Sequence, residues 1–323
     1  MSASQTDGMV SRDSLGIDIK FEEDSIKNYK IVREGDYVIH LRSFQGGFAF
    51  SDRTGVCSPA YTILRPTEQV SYGFLKPFFM SNKFINSLRL VTYGIRDGKS
   101  ISVEEWLKLN THLPSLEEQQ KISSFLALLD ERIATQIKII EKLESLIKGL
   151  CQKLTQQDNP NTALNETLVC YSSTLQESSV QEAGDYPVYG ATGVCGYTDV
   201  PEVDGDSILI IKDGASVGVT YYASGRYSAI GTLNRLVAKR EYSLRYLYYC
   251  LKVFNFAPYR TGLAIPHIYF RDYGKAKVWC PSLDEQQRIA DALSKVEQKI
   301  AIEKSLLEQL YSQKRFLLQS MFI

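Results

Sequence analysis

The sequence predicts an α+β protein: two mixed α/β modules, each followed by a long helix, the two helices pairing as an antiparallel coiled coil with pseudo-two-fold symmetry. Three observations predict it. A nine-residue signature occurs twice. A heptad pattern of apolar residues runs on from each copy. Short apolar runs broken by glycine precede each copy.

The signature reads PSLEEQQKI at 114–122 and PSLDEQQRI at 281–289, an offset of 167 with all nine positions identical or conservative. The offset persists downstream, where Leu126, Ile133, Ala134, Leu143 and Leu150 align with Leu293, Ile300, Ala301, Leu310 and Leu317. Upstream, Gly35-Asp36-Tyr37-Val38-Ile39 aligns with Gly205-Asp206-Ser207-Ile208-Leu209 at an offset of 170, as do Gly55 with Gly225 and Ser58 with Ser228. A repeat of this length is a duplicated module, not a solenoid unit.

Apolar residues after the first signature fall at 122, 126, 129, 133, 140, 143, 147, 150 and 154, and after the second at 289, 293, 296, 300, 307, 310, 317 and 321. These steps of four and three trace a coiled-coil seam. Each seam skips one position, where Gln136 and Glu303 stand 167 apart. A polar residue there costs stability and fixes pairing register. Each helix is expected to be about 50 Å long. Pro-Ser places a cap residue at the start and acids in the first turn. Two matched seams in one compact chain are most easily satisfied by pairing with each other.

The polar stretch 155–166, with Pro160, reads as a linker. Within the modules, strands are expected at 36–41, 207–212, 217–222 and 233–238, and a short helix at 244–256 whose Tyr246, Tyr248 and Tyr249 pack inward. The domain limits are therefore 1–113 for the first module, 114–157 for its helix and linker, 158–280 for the second module and 281–323 for the second helix.

Composition excludes several classes. Lys+Arg and Asp+Glu both number 37 in 323 residues, so bulk charge points to no polyanionic partner, although a neutral total can hide a basic face. No apolar run reaches membrane-spanning length, and the N-terminus lacks the pattern of a signal peptide. The six cysteines form no C-x-x-C pair and read as free thiols of a reducing cytoplasm. The three histidines are scattered, and no phosphate-binding loop, dinucleotide fingerprint or nucleophile elbow is present. The chain reads as a binding protein without catalytic residues, metal or cofactor of its own.

The doubled signature, each copy opening a long heptad helix, resembles the conserved regions of the specificity subunits of Type I restriction-modification enzymes. YPVYGATGVCGYTDV at 186–200, DGDSILIIKDGASVG at 204–218 and RTGLAIPHI at 260–268 are similar to target-recognition domains of that family. The resemblance implies that each module is a target-recognition domain reading one half of a split, asymmetric sequence in double-stranded DNA. It implies that the helices set the spacing between the halves, and that the subunit is not catalytic. The partners it implies are two methyltransferase subunits, which bind S-adenosylmethionine, and restriction subunits in the full complex. Residues 1–34 depart from the pattern: they do not match 171–204, and nothing like YPVYGA precedes Gly35. The alternative is a coiled-coil adaptor with two protein-binding domains and no DNA.

Base reading needs donors and acceptors on exposed loops. In the first module the candidates are Arg42 and Ser43 after a strand, and Arg96 and Lys99 in a polar loop. In the second they are Lys212 beside a glycine turn, with Arg260, Thr261 and His267, and after them Arg226 and Arg235. The acids of the two signatures are expected to cap the helices or, with the glutamines beside them, to meet a methyltransferase subunit.

Overall fold

The structure, a computed structural model, describes residues 1–4, 7–11, 27–40, 47–94, 100–262 and 264–321. The chain forms two compact units, 1–137 with 305–323, and 138–304.

In the first unit β1 (Ser2–Ser4) and β2 (Gly8–Val10) form a hairpin, and β3 (Lys30–Val32) pairs with β6 (Gly55–Cys57). A second sheet has β4 (Tyr37–Ile39) between β5 (Phe48–Phe50) and β7 (Thr62–Leu64), all antiparallel. Side chains alternate across β4, as a two-residue period requires. Val38 faces the cluster of Met9, Val32, Ala49 and Cys57, between strands. Tyr37 and Ile39 face Phe79 and Phe84, on α1 (Leu75–Phe79) and α2 (Asn82–Ser87). Phe48 and Phe84 meet edge-on, an arrangement the ring quadrupoles favour. Then come a second hairpin, β8 (Thr92–Tyr93) with β9 (Ser100–Ile101), α3 (Val103–Trp106), and the 40-residue helix α4 (Leu116–Thr155).

The second unit begins with β10 (Thr162–Ala163), α5 (Leu164–Thr167) and β11 (Leu168–Ser172). The polar stretch expected to be a linker as far as 166 is therefore ordered from Asn161 on. The Asn161 side chain donates to Cys280 O at 3.0 Å and accepts from Cys280 N at 2.8 Å. The strands β12 (Tyr186–Gly190), β13 (Gly193–Thr198), β14 (Val203–Asp204), β15 (Ser207–Ile211), β16 (Thr220–Ala223), β17 (Arg226–Ala229) and β18 (Leu233–Ala238) build two four-stranded sheets, ordered β11-β18-β15-β16 and β13-β12-β17-β14. Leu209, Ile211 and Leu233 of one meet Tyr227 and Ala229 of the other. Ile208, Ile210 and Leu236, on the opposite face, pack under α6 (Leu244–Lys252) and Tyr273 of α7 (Phe270–Tyr273). The helix expected over 244–256 stops at Lys252, and a short 3-10 turn at Ala257–Tyr259 follows. β16 starts at Thr220, later than expected, because residues 212–219 are taken up by a turn with Gly214 and Gly218 at positive φ. β19 (Lys277–Val278) pairs with β10 and leads to α8 (Leu283–Ser320).

The two units share a core plan. The order β5-β4-β7 corresponds to β16-β15-β18, and the pair β3-β6 to β14-β17. The facing residues correct one detail of the sequence alignment. Tyr37 and Ile208 both face helices, while Val38 and Leu209 both face the other strands. β4 and β15 thus match at an offset of 171, not 170; a one-residue slip would reverse every side chain.

The heptad positions behave as expected within each unit. In the first, Leu129 and Ile133 of α4 pack on Leu306 and Leu310 of α8, Leu126 packs on Leu317, and Asp130 pairs with Lys314 at 2.5 Å. In the second, Ile147 and Cys151 share a core with Ile289, Leu293 and Ile300, and Glu144 pairs with Lys304 at 2.6 Å. In both units higher numbers on α4 meet lower numbers on α8, so the segments run antiparallel. Gln136 and Glu303 are both buried, and Glu303 pairs with Lys299 along its own helix.

Candidate nucleic-acid interface

The sharpest candidate lies in the second unit, where two segments far apart in sequence are stitched together. The turn after β15 and the hairpin 260–268 exchange backbone hydrogen bonds: Gly214 N donates to Pro266 O at 2.9 Å, and Ile268 N donates to Lys212 O at 2.9 Å. Thr261 and His267 exchange a reciprocal pair at 2.9 and 2.7 Å. The Arg260 guanidinium donates to Val217 O at 3.0 Å, which ties the base of the hairpin to the turn. Glycine is required at 262: its φ is +90°, and a Cβ there would lie 2.3 Å from Ile265 O.

Four of the sequence-predicted residues, Lys212, Arg260, Thr261 and His267, therefore belong to one structural element. Lys212 is half-buried, and among the described residues its amine has no hydrogen bond or ion pair. Arg260 and Thr261 are exposed. His267 Nδ1 lies 3.3 Å from Asp213 Oδ1, with both side chains about one-third exposed. Tyr269 and Arg271 continue this surface, the guanidinium lying 4.9 Å from the ring centre. Arg235 sits elsewhere. It pairs with Tyr171 and Leu209 across the sheet and stacks on the Tyr171 ring at 4.3 Å. That is the sheet-facing side, whereas the charge of Lys212 acts on Cys170, whose thiol burial pushes up to about 11. Arg226 is engaged with Tyr186, ring and hydroxyl.

In the first unit, Arg42, Ser43, Arg96 and Lys99 lie outside the described residues. Arg96 and Lys99 fall in the connection between β8 and β9, and this hairpin corresponds to the Thr261–His267 hairpin: each directly precedes a four-residue helix, α3 or α7.

The signatures cap their helices as the sequence predicts, and their first glutamines have a further use that the sequence reading missed. Ser115 and Glu118 form a reciprocal cap at the start of α4. Ser282 caps α8 by accepting from Glu285 N. The first glutamine of each signature is buried, 1% exposed in both copies. Gln119 accepts from Ser71 N and donates to Gln69 O and Pro114 O, while Gln286 accepts from Ser243 N and donates to Pro281 O. Each glutamine thus latches its helix start to its module. The signal was present in the sequence as a glutamine pair kept in both copies while the first acid of the motif and the base after the pair vary.

The second unit carries a further tie. Glu297 of α8 accepts from Tyr248 and Tyr249 at 3.0 Å each and from Lys252 at 2.7 Å, all on α6. Burial works against its charge, but Lys252 and the two hydroxyls outweigh it and hold the carboxyl below its ordinary value. The tyrosines expected to be packing residues are therefore also donors. All six cysteines are free thiols. Among the described residues no group of His, Cys, Asp and Glu could hold a metal ion, and no helix is long and apolar enough to cross a membrane.

Two α/β modules on one core plan, each tied by a buried glutamine to the long helix that follows it, define a class of duplicated protein before any relative is considered. The family model described as the Type I restriction modification DNA specificity domain matches twice, at residues 6–145 and 171–312. The chain belongs to that family. A putative type I restriction enzyme specificity subunit of Haemophilus influenzae is 29% identical over 89 residues, 27% of this chain and 23% of that protein. The match thus spans under a quarter of that relative's length. The Type I restriction-modification S subunit from M. genitalium superposes with a TM-score of 0.62 at 19% identity, over 90% of this chain and 84% of that one. The HsdS subunit from Thermoanaerobacter tengcongensis gives 0.50 at 19% identity, over 91% and 82%. At these identities the two structures show a shared fold.

Proposed function

We propose that the chain is the DNA-reading, non-catalytic subunit of a Type I restriction-modification enzyme. In this reading residues 1–113 and 158–280 are its two target-recognition domains, and 114–157 and 281–323 its conserved helices. Each domain reads one half of a bipartite, asymmetric site. Two methyltransferase subunits dock on the pseudo-symmetric scaffold, bringing S-adenosylmethionine, and restriction subunits join the full complex in the cytoplasm. The observation that carries this is the doubled family match over two units that share a core plan and differ in their outer strands and hairpins.

The base-reading and phosphate-binding groups proposed for the second half-site are Lys212, Arg260, Thr261 and His267, with Arg235 on the inner strand β18. Those for the first are Arg42, Ser43, Arg96 and Lys99. A residue that touches only phosphate weakens binding on every sequence and lowers the salt dependence when removed; one that reads a base relaxes a single position. A gel-shift with the companion methyltransferase present tests the reading. Selective retention of one split sequence over its scrambled version is expected. Equal retention of both, with only protein partners bound, would favour the adaptor and overturn the DNA reading.

A further inference from the structure

We propose that Asp213 positions His267 so that the ring presents Nε2 as a hydrogen-bond acceptor to the amino group of one base in the half-site read by the second module. This rests on the DNA-reading function proposed above and adds a specificity residue and its mechanism.

The argument starts from the ring's two nitrogens. A carboxylate has only acceptors, so a ring nitrogen beside it carries the hydrogen. Asp213 Oδ1 is that neighbour for Nδ1, at 3.3 Å. In the neutral ring Nε2 is then left with a lone pair. Among the described residues it makes no hydrogen bond. Gly262 flanks it without a side chain: a Cβ built there would stand 2.9 Å from Nε2. The backbone fixes where the ring sits, because both segments are held from either side. His267 pairs with Thr261, and the neighbours Pro266 and Ile268 are bonded to Gly214 and Lys212. Both side chains are about one-third exposed, open to a ligand yet restrained.

An acceptor aimed at a base edge in the major groove finds a donor on adenine N6 or cytosine N4, and meets an acceptor on guanine or thymine. The pair therefore discriminates amino from keto bases on one strand. Lys212, on the same element and without a hydrogen-bond or ion-pair partner among the described residues, supplies positive charge toward the neighbouring phosphates. Asp213 is the positioning residue, since its Oδ1 lies against Nδ1 of the ring.

The test uses the full chain with its companion methyltransferase, and reads the methylated motif by sequencing the DNA of cells that carry the wild type, His267→Ala or Asp213→Asn. Asparagine is isosteric, and its amide can donate to Nδ1, which removes the preference for Nδ1–H. The expected result is that both variants lose about tenfold in amino-over-keto selection at the same single base pair, with the other positions and the spacer unchanged. Melting curves of both variants should overlay the wild type, which separates a reading defect from a folding one. Unchanged selection in His267→Ala would overturn the proposal. Relaxation in His267→Ala but not in Asp213→Asn would overturn the positioning role. A wild type that imposes no motif at all would overturn the DNA-reading function itself, a different failure from the other two.

Discussion

The strand β15 of the second unit and β4 of the first hold the same place but keep different company. β15 has β16 on one side and β18 on the other, with β11 beyond. β4 has β5 and β7, and among the described residues no fourth strand joins them. The second sheet differs in the same way: β14-β17 is extended by β12 and β13, whereas among the described residues β3-β6 is a pair that the Met1 amine meets at Val56 O. The inner strands, the left-handed glycine before each, Gly35 and Gly205, and the glutamine latch are kept. What differs lies at the edges of the sheets and in the hairpins. A duplicated reader is expected to vary there, because base edges are met by surface loops while the scaffold must hold two readers in fixed register.

Paired substitutions sharpen that contrast. The largest effects belong to the shared core. Val38 and Leu209 are both fully buried between strands. Leu209→Ala should cost about 4 kcal/mol and Val38→Ala about 2.5 kcal/mol, since the leucine loses one more carbon than the valine. Urea midpoints measure both; a silent Val38→Ala would mean that the first unit does not rest on the same core.

The latches come next. Gln119→Ala leaves three backbone groups without their partner and Gln286→Ala leaves two. Losses of about 3 and about 2 kcal/mol follow from the desolvation of those groups. Equal and negligible losses would make the glutamines ornamental to folding and return them to the surface as partner contacts.

Asp36 and Asp206 give a smaller but cleaner asymmetry. Asp36 is buried, takes both guanidinium arms of Arg65 at 2.9 Å and accepts from Arg33 N. Asp206 is exposed and accepts from the Tyr222 hydroxyl. Asp36→Asn should cost about 2 kcal/mol, allowing for the half-exposed arginine, and Asp206→Asn under about 0.5 kcal/mol. Burial raises the Asp36 carboxyl, but Arg65 and the Arg33 amide outweigh it and bring it below its ordinary 3.8. Its stabilisation is therefore complete above that ordinary value and is lost as pH falls through the lower, folded one. Glu297 acts with the same sign in the second unit. Acid titration of Asp36→Asn should show a shallower loss of stability than the wild type in that window.

The smallest difference is at the caps. Ser115 is bound from both sides by Glu118, whereas Ser282 accepts one bond of 3.4 Å. Ser115→Ala is expected to cost about 1 kcal/mol and Ser282→Ala about half of that, seen as melting temperatures. A reversed order would show that the reciprocal cap adds nothing here.

Repetition made the architecture legible. The doubled signature, the seam positions and the two polar seam residues could be read because each copy checks the other. Strand register could not. Gly35-Asp36 and Gly205-Asp206 align at 170, yet the facing residues of β4 and β15 match at 171, since which side of a strand is covered is decided by packing. The site was half legible. Lys212, Arg260 and His267 were readable as polar residues beside glycine turns, but not their union in one element, which depends on bonds between residues about fifty positions apart. Asp213 carried no local signal, and its use appears only once His267 is beside it. Arg235 was legible as a charge, but its ring partner Tyr171 sits on a strand sixty-four residues away.

In the proposed function one chain holds two readers for two different half-sites. Sequencing of modified bases in host DNA, with this gene intact and with it deleted, tests it most directly. Deletion should abolish methylation at one split motif whose halves are unlike and separated by a fixed spacer. An unchanged pattern, or the loss of a single unbroken palindrome, would contradict it.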